Sequence, residues 1–503
     1  MRAQRAIRPD QSFRAGAGHS PRRRSVVAPP MKPDLLRLSL SALIIMSVSH
    51  VQQMYGWLAI FRPGQLFVGL SILAALMNRR ALANGWSKRW PAKMMIAITA
   101  AACGSIVFGI SQGGAFFYFS QYFSKVLIAA FLLMAAMRDA RDLRIFVWAY
   151  VIGTAVLVWM ALFVFQLSAT NTGMMRLSGL ETWDANDMCV LLVMGMAFCV
   201  LLFQTAGARG KIAAGITLIG IGAAIARSGS RGGFLGLGCV VVALLLSFKG
   251  TSMARRLTML GGFAAGLVLA APKGYWQQMN TITSAEQDYN WDSEDGRRML
   301  AIQGLKYMIQ YPVFGIGINN FGRATVTISD RALHWDPSQP GIKASVAHNT
   351  YIQAGAELGI PGGFLMIALV LGCIMAPWRL RRRIPPAWAQ GTWDQQFLYH
   401  ATLYLPVAAL GFAVTAFFVS FAYNDPLYIL AAMVCALTAS VEAGLNGPRR
   451  SAAMTAKRPN SAAPGRRVGP LLATRGPIAP ANAALLRASG RLPSSTAVHR
   501  RRS

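Results

Sequence analysis

Charge is what this chain has least of. Only 14% of its 503 residues are Asp, Glu, Lys or Arg, while 54% are hydrophobic; average globular chains carry about 25% charged residues. A water-soluble fold would have to bury that apolar excess in a very large core. Acids are scarcer still, 18 against 50 Lys and Arg. The cations are not laid out as a face for nucleic acid: eight fall in residues 1–34 and twelve in residues 443–503. Both ends are rich in Ala, Pro, Ser and Gly and have no apolar periodicity. They read as disordered basic tails, 1–34 and 444–503, attracted to anionic lipid headgroups. The six cysteines (Cys103, Cys189, Cys199, Cys239, Cys373, Cys435) all lie in apolar stretches with no ligand spacing. That excludes a disulfide framework and a thiolate metal site. There is no phosphate-binding glycine loop, no metal-ligand cluster and no Asp-x-Asp pair to hold a divalent cation. No short apolar run follows the first arginines directly, which argues against a cleaved signal peptide. Met31, just before the first apolar stretch, is a candidate start.

What is present is a succession of apolar stretches, each able to satisfy its own backbone as a helix in a bilayer. They fall at 35–51, 64–78, 94–111, 117–136, 145–167, 187–204, 212–226, 232–248, 257–271, 350–376, 398–420 and 426–443. The expected fold is an all-α polytopic membrane protein of about twelve spans. Spans one to nine occupy 35–271, a large loop 272–347, and the last three spans 348–443. With a cytoplasmic N-terminus, every second connection is basic: Arg79, Arg80, Lys88, Arg89 and Lys93; Arg138, Arg141 and Arg144; Arg209 and Lys211; Lys249, Arg255 and Arg256; Arg379, Arg381, Arg382 and Arg383. The opposite connections are poor in cations, with Arg62 and Arg176 nearly alone. This alternation follows the positive-inside rule, places both termini in the cytoplasm and puts the long loop outside. The loop holds seven acids (Glu286, Asp288, Asp292, Glu294, Asp295, Asp330, Asp336). Loops of that length without structure of their own are usually functional or disordered. Apolar residues at 299, 300, 302, 305, 308 and 309 predict an amphipathic helix over Arg297–Gln310, lying on the membrane or closing over a cavity. Tyr311-Pro312 ends it, and Gly315, Gly317 and Gly322 mark a tight exit.

Three places could carry chemistry. Arg227-Ser228-Gly229-Ser230-Arg231-Gly232-Gly233 is a short outer turn with two arginines. It suits a phosphate clamp, since guanidinium forms bidentate bonds to phosphate oxygens, or simple snorkelling to headgroups. Arg297-Arg298 opens the loop helix and is either a second anion site or a solvated, ion-paired turn. His348 through Gly363 opens the tenth span. On a helix His348, Tyr351, Ile352 and Gly355 share one face, and Gly359 with Pro361 should break the span a third of the way down. A histidine at such a mouth could act as base or hydrogen-bond donor, or merely cap. Glu357 below the interface is costly without a role. Arg176-Leu177-Ser178-Gly179 with Trp183-Asp184-Ala185-Asn186 is a weaker candidate, as are Lys125 and Asn424-Asp425-Pro426.

These stretches resemble the O-antigen ligase and O-antigen polymerase superfamily of bacterial inner-membrane glycosyltransferases. Ser230-Arg231-Gly232-Gly233-Phe234-Leu235 resembles its Ser-Arg-Gly element. Arg297 through Tyr311-Pro312-Val313-Phe314-Gly315-Ile316-Gly317 resembles its Arg, helix, Pro-hydrophobic-Gly-x-Gly element. His348-Asn349-Thr350-Tyr351 through Glu357-Leu358-Gly359-Ile360-Pro361-Gly362 resembles its most specific motif. The resemblance covers about 227–376, and Ala301 stands where many members carry tryptophan. It implies transfer of a glycan from a polyprenyl (undecaprenyl) pyrophosphate carrier to an acceptor hydroxyl at the periplasmic face, without metal, cofactor or ATP. The acceptor would be lipid A-core, a growing glycan or a protein hydroxyl. Arg231 and Arg297 would hold the pyrophosphate and His348 would handle the acceptor proton. Arg227, Arg298, Arg176, Asn349, Tyr351 and Glu357 complete the expected donor and substrate contacts. A transporter of lipid-linked sugars is the reading from another class, but the hydropathy shows no internal repeat.

Overall fold

The computed structural model describes residues 34–77, 85–169, 175–178, 184–247, 252–284, 296–336, 338 and 341–456. The basic ends 1–33 and 457–503 lie outside these residues, as do Met31, Arg79, Arg80, Gly179, Trp183, Lys249 and the acids from Glu286 to Asp295.

The chain folds as a bundle of helices in sequence order: α1 Leu35–Ser49, α2 Pro63–Met77, α3 Trp90–Phe108, α4 Gln112–Ala136, α5 Ala140–Phe163, α6 Ala185–Thr205, α7 Ala208–Ser228, α8 Arg231–Ser247, α9 Met253–Ala270, α10 Arg297–Gln310, α11 Phe321–Thr327, α12 Thr350–Arg381, α13 Trp393–Phe418 and α14 Asp425–Ala456. Their starts obey capping chemistry. Asp34, Asp139 and Asn349 each accept backbone N–H groups of the first turn, and Asp184 with Asp187 and Thr392 with Gln395 form reciprocal capping boxes.

All twelve expected spans coincide with helices, but eight of these are long and apolar enough to cross a membrane. Leu35–Ser49, Pro63–Met77 and Arg231–Ser247 are shorter. A 15-residue helix such as α1 rises roughly 22 Å, short of a hydrocarbon core of roughly 30 Å. The chain is a multi-pass membrane protein, with eight helices among the described residues meeting the length requirement by themselves. One element departs from the all-helical expectation. Gln166–Ala169 (β1) and Met175–Ser178 (β2) pair antiparallel, Leu167 opposite Leu177, with Leu177 buried.

The core is built around α6, buried along most of its length, with α13, α7, α8 and α5 packed against it. Around the outside, Phe163, Ile212, Ile216, Ile219, Val242 and Leu246 are exposed apolar side chains, as a lipid-facing surface requires. α1 is pinned to α5 by charge. Buried Arg37 donates from Nε and Nη2 to Asp142 at 2.5 and 2.7 Å, from Nη1 to Asp34 at 2.6 Å, and from Nη2 to the Ala136 carbonyl at 3.2 Å. The bidentate fork supplies the geometry a buried pair needs.

Candidate active site

The α7–α8 turn is assembled by small polar groups. Gly229 takes a left-handed conformation (φ 61°) that ends α7. Ser230 then caps α8, accepting from the Gly233 N–H at 3.0 Å while its hydroxyl donates to Asn186 Oδ1 at 2.7 Å. Asn186 in turn donates to Asp184 at 2.8 Å. Arg176, on β2, donates to the Ser228 carbonyl at 3.1 Å and lies 3.7 Å from the Asp184 carboxylate. The hairpin, the start of α6 and the turn thus form one hydrogen-bonded unit. Arg231 leaves this unit on the first turn of α8, its Nη1 donating to Thr281 Oγ1 at 2.8 Å. Arg227, half-buried on the last turn of α7, has an Nε with no hydrogen-bond partner among the described residues.

Phe418 joins this turn to the loop. Its side chain lies where a Cβ on Gly232 would stand only 2.7 Å away, so glycine is needed for the close approach. The Arg297 guanidinium lies over the same ring at 5.9 Å from the centroid. Arg297 is the first residue of α10, which has the expected bounds Arg297–Gln310. Helix α10 packs on α12 through two glycines: Met308 occupies the space beside Gly355, and Ile352 that beside Gly304. Leu300, Gly304 and Tyr307 are buried there, whereas Met299, Ile302, Leu305 and Ile309 remain exposed. The expected apolar face is therefore divided between the protein and its surroundings. Arg298 is exposed.

The break in α12 comes where expected, at Gly359 (φ 77°, ψ 175°) ahead of Pro361. Its partner was not legible. Pro361 has no N–H to give the Glu357 carbonyl, and that carbonyl accepts instead from Gly317 N–H at 3.1 Å. The Ala356 carbonyl accepts from Ile316 N–H at 2.9 Å, and Ile360 N–H donates to the Pro312 carbonyl at 2.8 Å. The segment Pro312–Gly317 thus takes up the backbone groups that the broken helix releases. Gly315 (φ 69°) and Gly359 adopt conformations disfavoured for other residues, and a Cβ at Gly359 would strike the Val313 carbonyl. Buried Glu357 closes the joint, its two oxygens accepting from Asn319 and Phe321 N–H, both at 3.0 Å.

His348 departs from its expected place. It is not on the helix face with Tyr351, Ile352 and Gly355, because Asn349 caps α12, accepting from Tyr351 and Ile352 N–H at 3.0 and 3.1 Å. His348 precedes the cap in a left-handed conformation (φ 48°), its N–H donating to Ser420 Oγ at 2.9 Å. Thr350 donates to the Val419 carbonyl at 2.8 Å and accepts from Phe421 N–H at 3.1 Å, fixing this corner to the chain after α13. Burial, then the charges of Arg297 and Lys343, lower the His348 pKa from the usual histidine value, and Asp184 opposes them. The Tyr351 hydroxyl donates to the Ala413 carbonyl at 2.9 Å.

The structure sets Arg297 over Phe418 and His348 against Ser420, with Gly232, the neighbour of Arg231, packed on Phe418, and adds Asp184 and Lys343 to the field at His348. Asn349, Glu357 and Tyr351 make bonds to the chain's own backbone. Thr281, Phe418, Ser420 and Lys343 were not singled out by sequence reasoning. Phe418 is one aromatic among 25 phenylalanines, and only the need for glycine at 232 hints that a ring sits there. No curated protein matches the chain. Residues 213–367 match the family described as O-antigen ligase, a stretch that contains all three motifs. That match supports, over those residues, the resemblance to the O-antigen ligase superfamily.

Proposed function

We propose that the chain is a bacterial inner-membrane enzyme that moves a glycan from a polyprenyl pyrophosphate carrier to an acceptor hydroxyl on the periplasmic side, with lipid A-core as the favoured acceptor. The observation that supports this reading is that Phe418 packs under the Arg297 guanidinium and against Gly232, the neighbour of Arg231, while His348 is bonded to Ser420 two residues on. Glycan transfer breaks the bond between the anomeric carbon and the pyrophosphate oxygen, and the electron pair leaves with the pyrophosphate. Arg231 and Arg297, with Arg227, whose Nε has no hydrogen-bond partner among the described residues, nearby in sequence, stabilise that growing negative charge through preorganised donors. The acceptor oxygen attacks the same carbon from the opposite face, inverting it, and its proton passes to His348. A histidine held below its usual pKa is neutral at physiological pH and free to take that proton. The energy resides in the donor bond, so the reaction requires no nucleotide.

A polymerase extending a glycan, or a protein O-glycosylation ligase, would use the same site and differ in acceptor. A transporter of lipid-linked sugars is the alternative of another class. Purified protein in liposomes, supplied with lipid-linked glycan and lipid A-core, separates these readings. Transfer to lipid A-core supports the ligase. Lengthened carrier-bound glycan reassigns the acceptor, and movement of donor across the bilayer without transfer refutes the enzyme.

A further inference from the structure

The opposite end of α12 carries a second feature that the transfer chemistry does not use. A groove of about 420 Å3 is lined there by Trp90, Leu371, Gly372, Met375, Arg379 and Arg383, among others, and is bounded by Thr438 and Glu442 of α14. The α12 residues at 368, 371, 372, 375, 376 and 379 recur at three- and four-residue spacing, so they form one face, and Arg383 follows in the turn just past the helix. Its upper part is apolar and open, with Leu371 and Met375 exposed. Its end is cationic. Gly372 lets the Trp90 indole reach the groove floor, since any Cβ at 372 would collide with that ring.

The four arginines ending α12 divide into two pairs. Arg381 donates to the Tyr399 carbonyl at 2.8 Å and lies over the Tyr399 ring, and Arg382 lies over Trp378. Arg379 and Arg383, one turn apart, line the groove and make no ion pair among the described residues. The one acid at the groove, Glu442, is bonded to Arg89 at 2.9 Å. An apolar channel ending in two exposed guanidinium groups beside an interfacial tryptophan matches one ligand chemistry: an acyl chain joined to a phosphate.

We propose that this groove binds an anionic phospholipid, its acyl chain along Ala368–Ala376 and its headgroup phosphate between Arg379 and Arg383. The lipid would bridge α12, the start of α3 and α14. The test uses the full chain purified in a neutral detergent, with phosphatidylglycerol, phosphatidylcholine or inorganic phosphate added, read by native mass spectrometry and by thermal unfolding. Phosphatidylglycerol should bind and raise the unfolding temperature with concentration, and the other two should not. The double variant Arg379→Gln/Arg383→Gln should weaken phosphatidylglycerol binding by roughly tenfold or more. Arg209→Gln/Lys211→Gln, which removes equal charge from another connection, should leave it unchanged. Ala368→Phe, which fills the channel and keeps both arginines, should weaken it as well. Equal loss in the Arg209/Lys211 pair reduces the effect to general charge and overturns the site. Equal stabilisation by inorganic phosphate overturns the lipid, and retained binding in the double variant overturns the residues.

Discussion

Arg37 and Arg231 are both arginines on the first turn of an apolar helix, and the contacts described for them differ in kind. Arg37 is clamped by two carboxylates, Asp142 and Asp34, and is buried. Arg231 donates to a neutral hydroxyl, that of Thr281, and Arg297 lies on an aromatic ring. A guanidinium already forked onto a carboxylate has no geometry left for a substrate anion. The contacts described for Arg231 and Arg297, to a hydroxyl and to a ring face, are each weaker than that fork and give way more readily to an incoming phosphate. The same residue type is a structural staple at one place and a candidate anion receptor at the other.

The comparison is sharpened first at its catalytic neighbour. His348→Ala should lower transfer by about 10²–10⁴-fold with membrane levels unchanged, measured in the liposome assay; wild-type rates would remove the proton-accepting role. Arg231→Ala and Arg297→Ala should each cost roughly 10²–10³-fold, and Arg231→Lys should recover only part of it because an ammonium lacks the fork. Arg37→Ala should do the reverse. It leaves Asp142 buried without its partner, a loss of about 3–5 kcal/mol, so folded yield and thermal stability fall while turnover per folded molecule stays. If Arg37→Ala lost turnover and kept stability, the contrast would fail. Gly359→Ala forces a left-handed backbone and a clash with the Val313 carbonyl, which at about 1–3 kcal/mol should lower stability and turnover together.

The smallest effect is a pH shift. His348 is held below its usual pKa by burial, Arg297 and Lys343, and pulled up by Asp184. A base with a lowered pKa stays neutral further into acid, so the acid limb of the rate profile should lie below the ordinary histidine range. Lys343→Gln removes one lowering charge and should move that limb to higher pH; Asp184→Asn should move it lower. An acid limb that ignores both changes belongs to another group.

Local chemistry was legible and long-range pairing was not. The bounds of α10 follow from apolar spacing and Tyr311-Pro312, and the break in α12 from Gly359 and Pro361, because each depends on residues close in sequence. The partnership between Pro312–Gly317 and the broken helix joins residues some forty apart through backbone atoms, which leave no side-chain pattern to read. His348 was misplaced because the helix was extended two residues back, past an asparagine that is a good cap. The short β hairpin was missed because four-residue strands carry too little alternation to stand out beside the apolar helices. The same apolar stretches coincide with helices, of which eight among the described residues are long and apolar enough to cross a membrane by themselves.

The joint between Pro312–Gly317 and α12 also sets a rule for how this region can be recombined. Cutting the chain anywhere between Pro312 and Pro361 and replacing one side with unrelated sequence would strand the carbonyls of Ala356 and Glu357 and the amide of Ile360. Each orphaned group costs several kcal/mol where water is scarce. Chimeras that exchange this region should therefore work only when the breakpoints fall outside it, making residues 312–361 a single module of inheritance.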